Sequence, residues 1–117
     1  MYGTQPDKMN IIFDNHEFSK PTRIDKWEPP KMAGLYVILM PDLSSSPIPL
    51  KPIYFGQTSN FAEKDLLKSY EIYNWVKKAK SNDSIFIAIY IMLGSIEEER
   101  KTRETELIAK YQPVCNK

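Results

Sequence analysis

Residues 84 to 93 read Ser-Ile-Phe-Ile-Ala-Ile-Tyr-Ile-Met-Leu, and this stretch limits the fold more than any other. Side chains alternate across a strand, so Ile85, Ile87, Ile89 and Ile91 share one face while Phe86, Ala88, Tyr90 and Met92 share the other. A strand that is apolar on both faces needs cover from both sides, which predicts a central strand between two layers of helix. Gly94 stops it, and Ser95 with Glu98 three residues on makes a capping-box pattern. A helix is then expected to about Tyr111, with Pro113 just past its end.

Two more strands are predicted upstream. Gly34 to Leu39 alternates Leu35, Val37 and Leu39 with Tyr36, Ile38 and Met40, and Ile53 to Gly56 alternates Ile53 and Phe55 with Tyr54. Tyr36 and Tyr54 lie on one face only if the register allows it, and the sequence leaves that open. Such a pair is ordinarily core or cross-strand packing, with two phenols at a site as the alternative. Between the strands, residues 41 to 52 carry prolines that each remove a ladder donor, so a long surface loop is expected. Asn60 and Glu63 form a second capping-box pattern, and Leu66, Leu67, Tyr70, Tyr73 and Val76 continue it at helical spacing towards Ser81-Asn82-Asp83. A break near Ser69 would divide this helix in two.

The order β, β, α, β, α predicts an α/β (α+β) sandwich: a small three-stranded, mostly antiparallel central sheet flanked by helices on both faces. Residues 1–32 are polar and broken by Pro21, Pro29 and Pro30. They are expected to form an N-terminal arm that packs Phe13, Phe18 or Trp27 on the domain of residues 33–117, with His16 exposed.

At 117 residues the chain can bury a core without staples. A single cysteine and a single histidine exclude an internal disulfide framework and cysteine-rich zinc sites, and leave one candidate base for any histidine triad. No run approaches the ~20 apolar residues of a membrane span, and Met1 to Asn10 lack signal-peptide character, so a cytoplasmic or nuclear protein is expected. The net charge of +1 is no advertisement for nucleic acid. From Asn60 to Lys80, Lys64, Lys68, Lys77, Lys78 and Lys80 outnumber Glu63, Asp65 and Glu71, which fits a modest basic patch or a solvated helix face. In the last helix Leu107, Ile108 and Tyr111 form the inward stripe. Glu106 sits beside it, either leaning into a cleft or paired with Lys110.

Gly34-Leu35-Tyr36, Tyr54-Phe55-Gly56-Gln57-Thr58-Ser59-Asn60-Phe61, Glu104-Thr105-Glu106-Leu107-Ile108 and Tyr111-Gln112-Pro113-Val114-Cys115-Asn116 together resemble the GIY-YIG nuclease domain over about residues 33–117. The resemblance implies hydrolysis of a DNA phosphodiester with one divalent ion, Mg2+ or Mn2+. It casts Tyr36 as the phenol that activates or positions water and Tyr54 as a hydrogen-bond donor at the scissile phosphate. Glu106 becomes the metal ligand and Asn116 a support for the site. Gly56, Gln57, Asn60, Lys68 and Tyr70 are expected along the substrate.

Two departures stand out. Lys64 occupies the place of the family's usual arginine and keeps the charge without the planar fork, and the interval between the two tyrosine motifs is longer than usual. The alternative is a GIY-YIG-like module, weakened or inactive, that binds nucleic acid or a protein partner. One site cuts one strand, so a double-strand break would need a homodimer or two visits.

Overall fold

A computed structural model describes residues 10–64, 66, 71–80 and 84–116. Among these residues it is an α+β fold with two α-helices and two antiparallel sheets, one of them four-stranded. The elements run β1 (Ile11–Phe13), β2 (His16–Phe18), β3 (Thr22–Arg23), β4 (Gly34–Pro41), β5 (Leu50–Thr58), α1 (Ile72–Ala79), β6 (Phe86–Ile91) and α2 (Glu97–Tyr111).

The main sheet has the order β3-β6-β4-β5, so the expected three strands become four. The extra strand is supplied by the arm: Thr22 and Arg23 pair with Ile87 and Phe86. The arm also forms the β1–β2 hairpin, whose turn residues Asp14 and Asn15 both take positive φ, a conformation that their short side chains tolerate. Phe13 and Phe18 are buried, and Trp27 packs against the opposite layer.

The two faces of β4 and β6 are covered by different partners. Ile85, Ile87 and Ile89 join Tyr36, Ile38 and Ile53 under Trp75 and Ala79 of α1. Leu35, Val37, Leu39, Phe55 and Ala88 meet the hairpin and Leu107 of α2 on the other side.

Three boundaries move. β5 begins at Leu50, so the connection shortens to residues 42–49. Pro52 is accommodated because β5 is an edge strand and the register shifts between Ile38 and Leu39, leaving Pro52 where no ladder donor is required. The helix expected from Phe61 is a 3-10 turn over Phe61–Glu63, after which Lys64 is extended (φ −98°, ψ 101°). Phe61 and Leu66 are both buried, and five residues is a spacing that one continuous α-helix would put on different sides. The cap of α2 falls on Ile96, whose N–H donates to Glu99 Oε1 at 3.0 Å, one residue later than the Ser95–Glu98 pattern. Gly94, at φ +70°, makes the turn that leads into it.

Candidate active site at the edge of β5

The register settles the question of the tyrosines. Tyr36 pairs with Gly56 and Ile38 with Tyr54, so Tyr36 and Tyr54 are diagonal neighbours on one face. Their rings stack with centroids 6.1 Å apart and planes 30° apart. Tyr36 lies across β4 onto Gly56: a Cβ there would overlap its Cζ, hydroxyl and Cε1. Glycine is therefore needed as the bed of the ring, and the hydroxyl is carried towards the outer edge of β5. His16, expected in solvent, is half-buried and meets Tyr90 edge-on at 5.0 Å.

Lys64 and two carboxylates surround the phenols. Lys64 Nζ stands 5.8 Å from the centroid of the Tyr36 ring, within cation–π range, and Asn60 sets its position by capping the preceding turn through Ala62 N–H at 3.0 Å. Glu71, just before α1, lies 3.5 Å from the Tyr54 hydroxyl, a long hydrogen bond. Glu104 of α2 is the second acid. Burial pushes the Tyr36 phenol well above the usual phenol range, with Tyr54, Glu71 and Glu104 adding to the effect. The Tyr54 phenol is raised too, first by burial and then by the same two carboxylates. Burial likewise raises the Glu104 carboxyl, opposed by Lys101 and Lys64. Both phenols are therefore neutral donors near pH 7.

Glu106 does not join this group. Its side chain is 54% exposed and pairs with Arg103 at 3.6 Å on the outer side of α2. The reason is helical geometry: two residues apart means roughly 200° around the axis, so when Glu104 turns inward Glu106 turns out. Gln57 also departs from its expected place at the substrate. Its cross-strand partner is Leu35, which puts it on the face opposite the tyrosines, where its Oε1 accepts from Arg100 Nε at 2.9 Å.

Asn116 acts on the backbone. Its amide accepts from Phe55 N–H at 2.8 Å and donates to Phe55 C=O at 3.0 Å, pinning β5 between Tyr54 and Gly56. Lys68 and Tyr70 lie outside the described residues.

The structure thus brings together Tyr36, Tyr54, Lys64 and Gly56, with Asn60 and Asn116 as supports, and adds Glu71, Glu104 and Arg100 to the picture. Among the described residues no group of three or more His, Cys, Asp or Glu is placed to hold a metal ion. A site of one or two carboxylates still suits Mg2+ or Mn2+, which complete their shells with water and substrate oxygens. No helix among the described residues is long and apolar enough to cross a membrane. No protein-family model, curated protein or solved structure matches the chain.

Proposed function

We propose that the chain is a GIY-YIG-type endonuclease that hydrolyses DNA phosphodiester bonds with one divalent ion, using Tyr36, Tyr54, Lys64 and Glu104. The reading is carried by one observation: two stacked phenols from separate strands meet the Lys64 ammonium at the edge of β5, and the half-buried Glu104 of α2 acts on both phenols electrostatically. From β4 onward the described elements follow the order β, β, α, β, α that the sequence pattern predicts.

Glu104 takes the part that the sequence assigned to Glu106, as the oxygen ligand for Mg2+ or Mn2+. When bound, that ion supplies positive charge to a phosphoryl oxygen and lowers the pKa of attached water. Tyr54 donates a hydrogen bond from its hydroxyl to a non-bridging phosphate oxygen and keeps its proton. Tyr36, kept protonated by burial and by Glu71 and Glu104, orients the attacking water as a neutral donor. It can turn base only where a cation offsets those two carboxylates. Lys64 meets the developing charge on phosphorus as a single point charge without a guanidinium's two-pronged grip.

Incubating the protein with duplex and branched DNA in Mg2+ or Mn2+ tests the reading. Glu104→Gln should lose cleavage by about a hundredfold or more, the scale on which a pre-organised electrostatic group contributes, and Glu106→Gln far less. Equal losses from the two, or full activity in Glu104→Gln, would overturn the site. Binding of DNA with no cutting in either metal would leave the non-catalytic module.

A further inference from the structure

Arg100 is the one charged residue among the described ones that is buried, at 5% exposure. Its described partners are all neutral: Nε donates to Gln57 Oε1 at 2.9 Å, and Nη1 donates to Ser95 O at 2.7 Å and Ser95 Oγ at 3.0 Å. Ser95 Oγ in turn donates to Met92 O at 2.6 Å. One guanidinium thus joins β5, the turn after β6 and the first half of α2.

Burying a guanidinium is not in itself a source of stability, because taking the charge out of water costs free energy that hydrogen bonds to neutral partners must offset. Location offers a better account. Gln57 adjoins Gly56, the bed of the Tyr36 ring, and Arg100 lies one turn before Glu104 on the same stripe of α2. Asn116 grips Phe55 just beyond the other end of the helix. Phe55-Gly56-Gln57 is therefore held on either side of the glycine, and Glu104 lies along α2 between the two holds.

We infer that Arg100 is a positioning residue: through Gln57 it fixes where α2 rests along β5, and so places Glu104 opposite Tyr36 and Tyr54. The inference rests on the nuclease reading for its consequence in catalysis and on geometry alone for its consequence in structure. A Gln57→Met/Arg100→Met pair removes the Nε donor and its Oε1 acceptor together, so that no Gln57 side-chain amide is orphaned, while Ser95 loses the Nη1 donor to its carbonyl and hydroxyl.

Three measurements test it: thermal melting, NMR of the Tyr36 and Tyr54 ring protons, and cleavage kinetics. The double variant should melt within a few degrees of the parent. Its tyrosine ring signals should move in the same sense as in Glu104→Gln, and kcat should fall at least tenfold with KM changed less than threefold. Gln57→Glu, which keeps an acceptor for Arg100, should hold the ring signals at their parental positions. Parental ring signals in a folded double variant would overturn the inference. If the double variant fails to fold, Arg100→Lys serves instead: it keeps the charge, loses the fork, and must also move the ring signals. Failure of the parent to cut DNA would defeat the nuclease reading while leaving the NMR comparison decisive for Arg100.

Discussion

The two faces of β4 are built from alternate residues of one strand and differ in kind. On the face of Leu35, Val37 and Leu39, Phe13 meets Phe18, Phe55 and Tyr111 edge-on at 5.6, 5.4 and 5.2 Å, and the Tyr111 hydroxyl accepts from Asp14 N–H at 2.7 Å. On the face of Tyr36 and Ile38, the aromatic rings carry polar ends among carboxylates. Tyr54 packs on Trp75 at 5.2 Å, and Trp75 Nε1 is buried with no hydrogen-bond partner among the described residues. One face is satisfied and the other is held short of satisfaction. Alternate residues of one backbone thus keep a closely packed aromatic cluster on one side and the polar-tipped rings on the other.

Substitutions on each side should separate the two roles. Phe55→Ala should be the most damaging to stability, at about 3–5 kcal/mol in denaturant unfolding, because it empties the middle of the aromatic cluster. Gly56→Ala acts from the neighbouring residue on the other face: it pushes a methyl into the Tyr36 ring and should cost about 1–3 kcal/mol while abolishing cleavage. A Gly56→Ala protein with undiminished activity would mean that the Tyr36 ring does not need its bed.

Alkali should find the phenol face next. The Tyr36 phenol is raised in the fold above its ordinary value near 10, so the folded chain holds that proton more tightly than the unfolded one. Stability is then complete below about pH 10 and declines as pH rises beyond it. Tyr36→Phe should flatten that decline in melting curves taken from pH 8 to 11. The smallest effect belongs to the hairpin on the aromatic side. Lys110 holds the Asp14 carboxyl below the usual range across a 2.8 Å ion pair. Its stabilisation is present above the ordinary Asp pKa and disappears as pH falls through the lowered one. Because the pair is exposed, the loss should appear as lower amide protection near Asp14 on acidification, measured relative to the intrinsic exchange rate at each pH and absent in Asp14→Asn, with little change in global melting.

Strong periodicity was legible from the sequence. The alternation in β4 and β6 assigned the buried apolar side chains to their faces, and Leu107, Ile108 and Tyr111 marked the inward stripe of α2. In β5, by contrast, the register irregularity turns Ile53 to the side of Tyr54 and away from Phe55, with which simple alternation groups it. The edge strand β3 was not legible, because two polar residues carry no alternation and pair only through the backbone of β6. The hairpin did leave a signal: Phe13-Asp14-Asn15-His16 is a two-residue turn of types that accept positive φ.

The choice between Glu104 and Glu106 was also available in principle. Residue 104 precedes 107, 108 and 111 by three, four and seven, the spacings of one helical face, whereas 106 falls about 100° off residue 107. Glu71 carried no comparable mark, since its place beside Tyr54 is made by the tertiary fold alone.

The amide of Asn116 does for the outer rim of β5 what another strand would have done, offering one acceptor and one donor to the same peptide. At that point a neighbouring molecule finds no free backbone groups to knit onto, and the opposite rim offers only the two residues of β3. A second copy could pair its sheet with β5 only away from Phe55, where the strand's outward backbone groups are not taken up by Asn116.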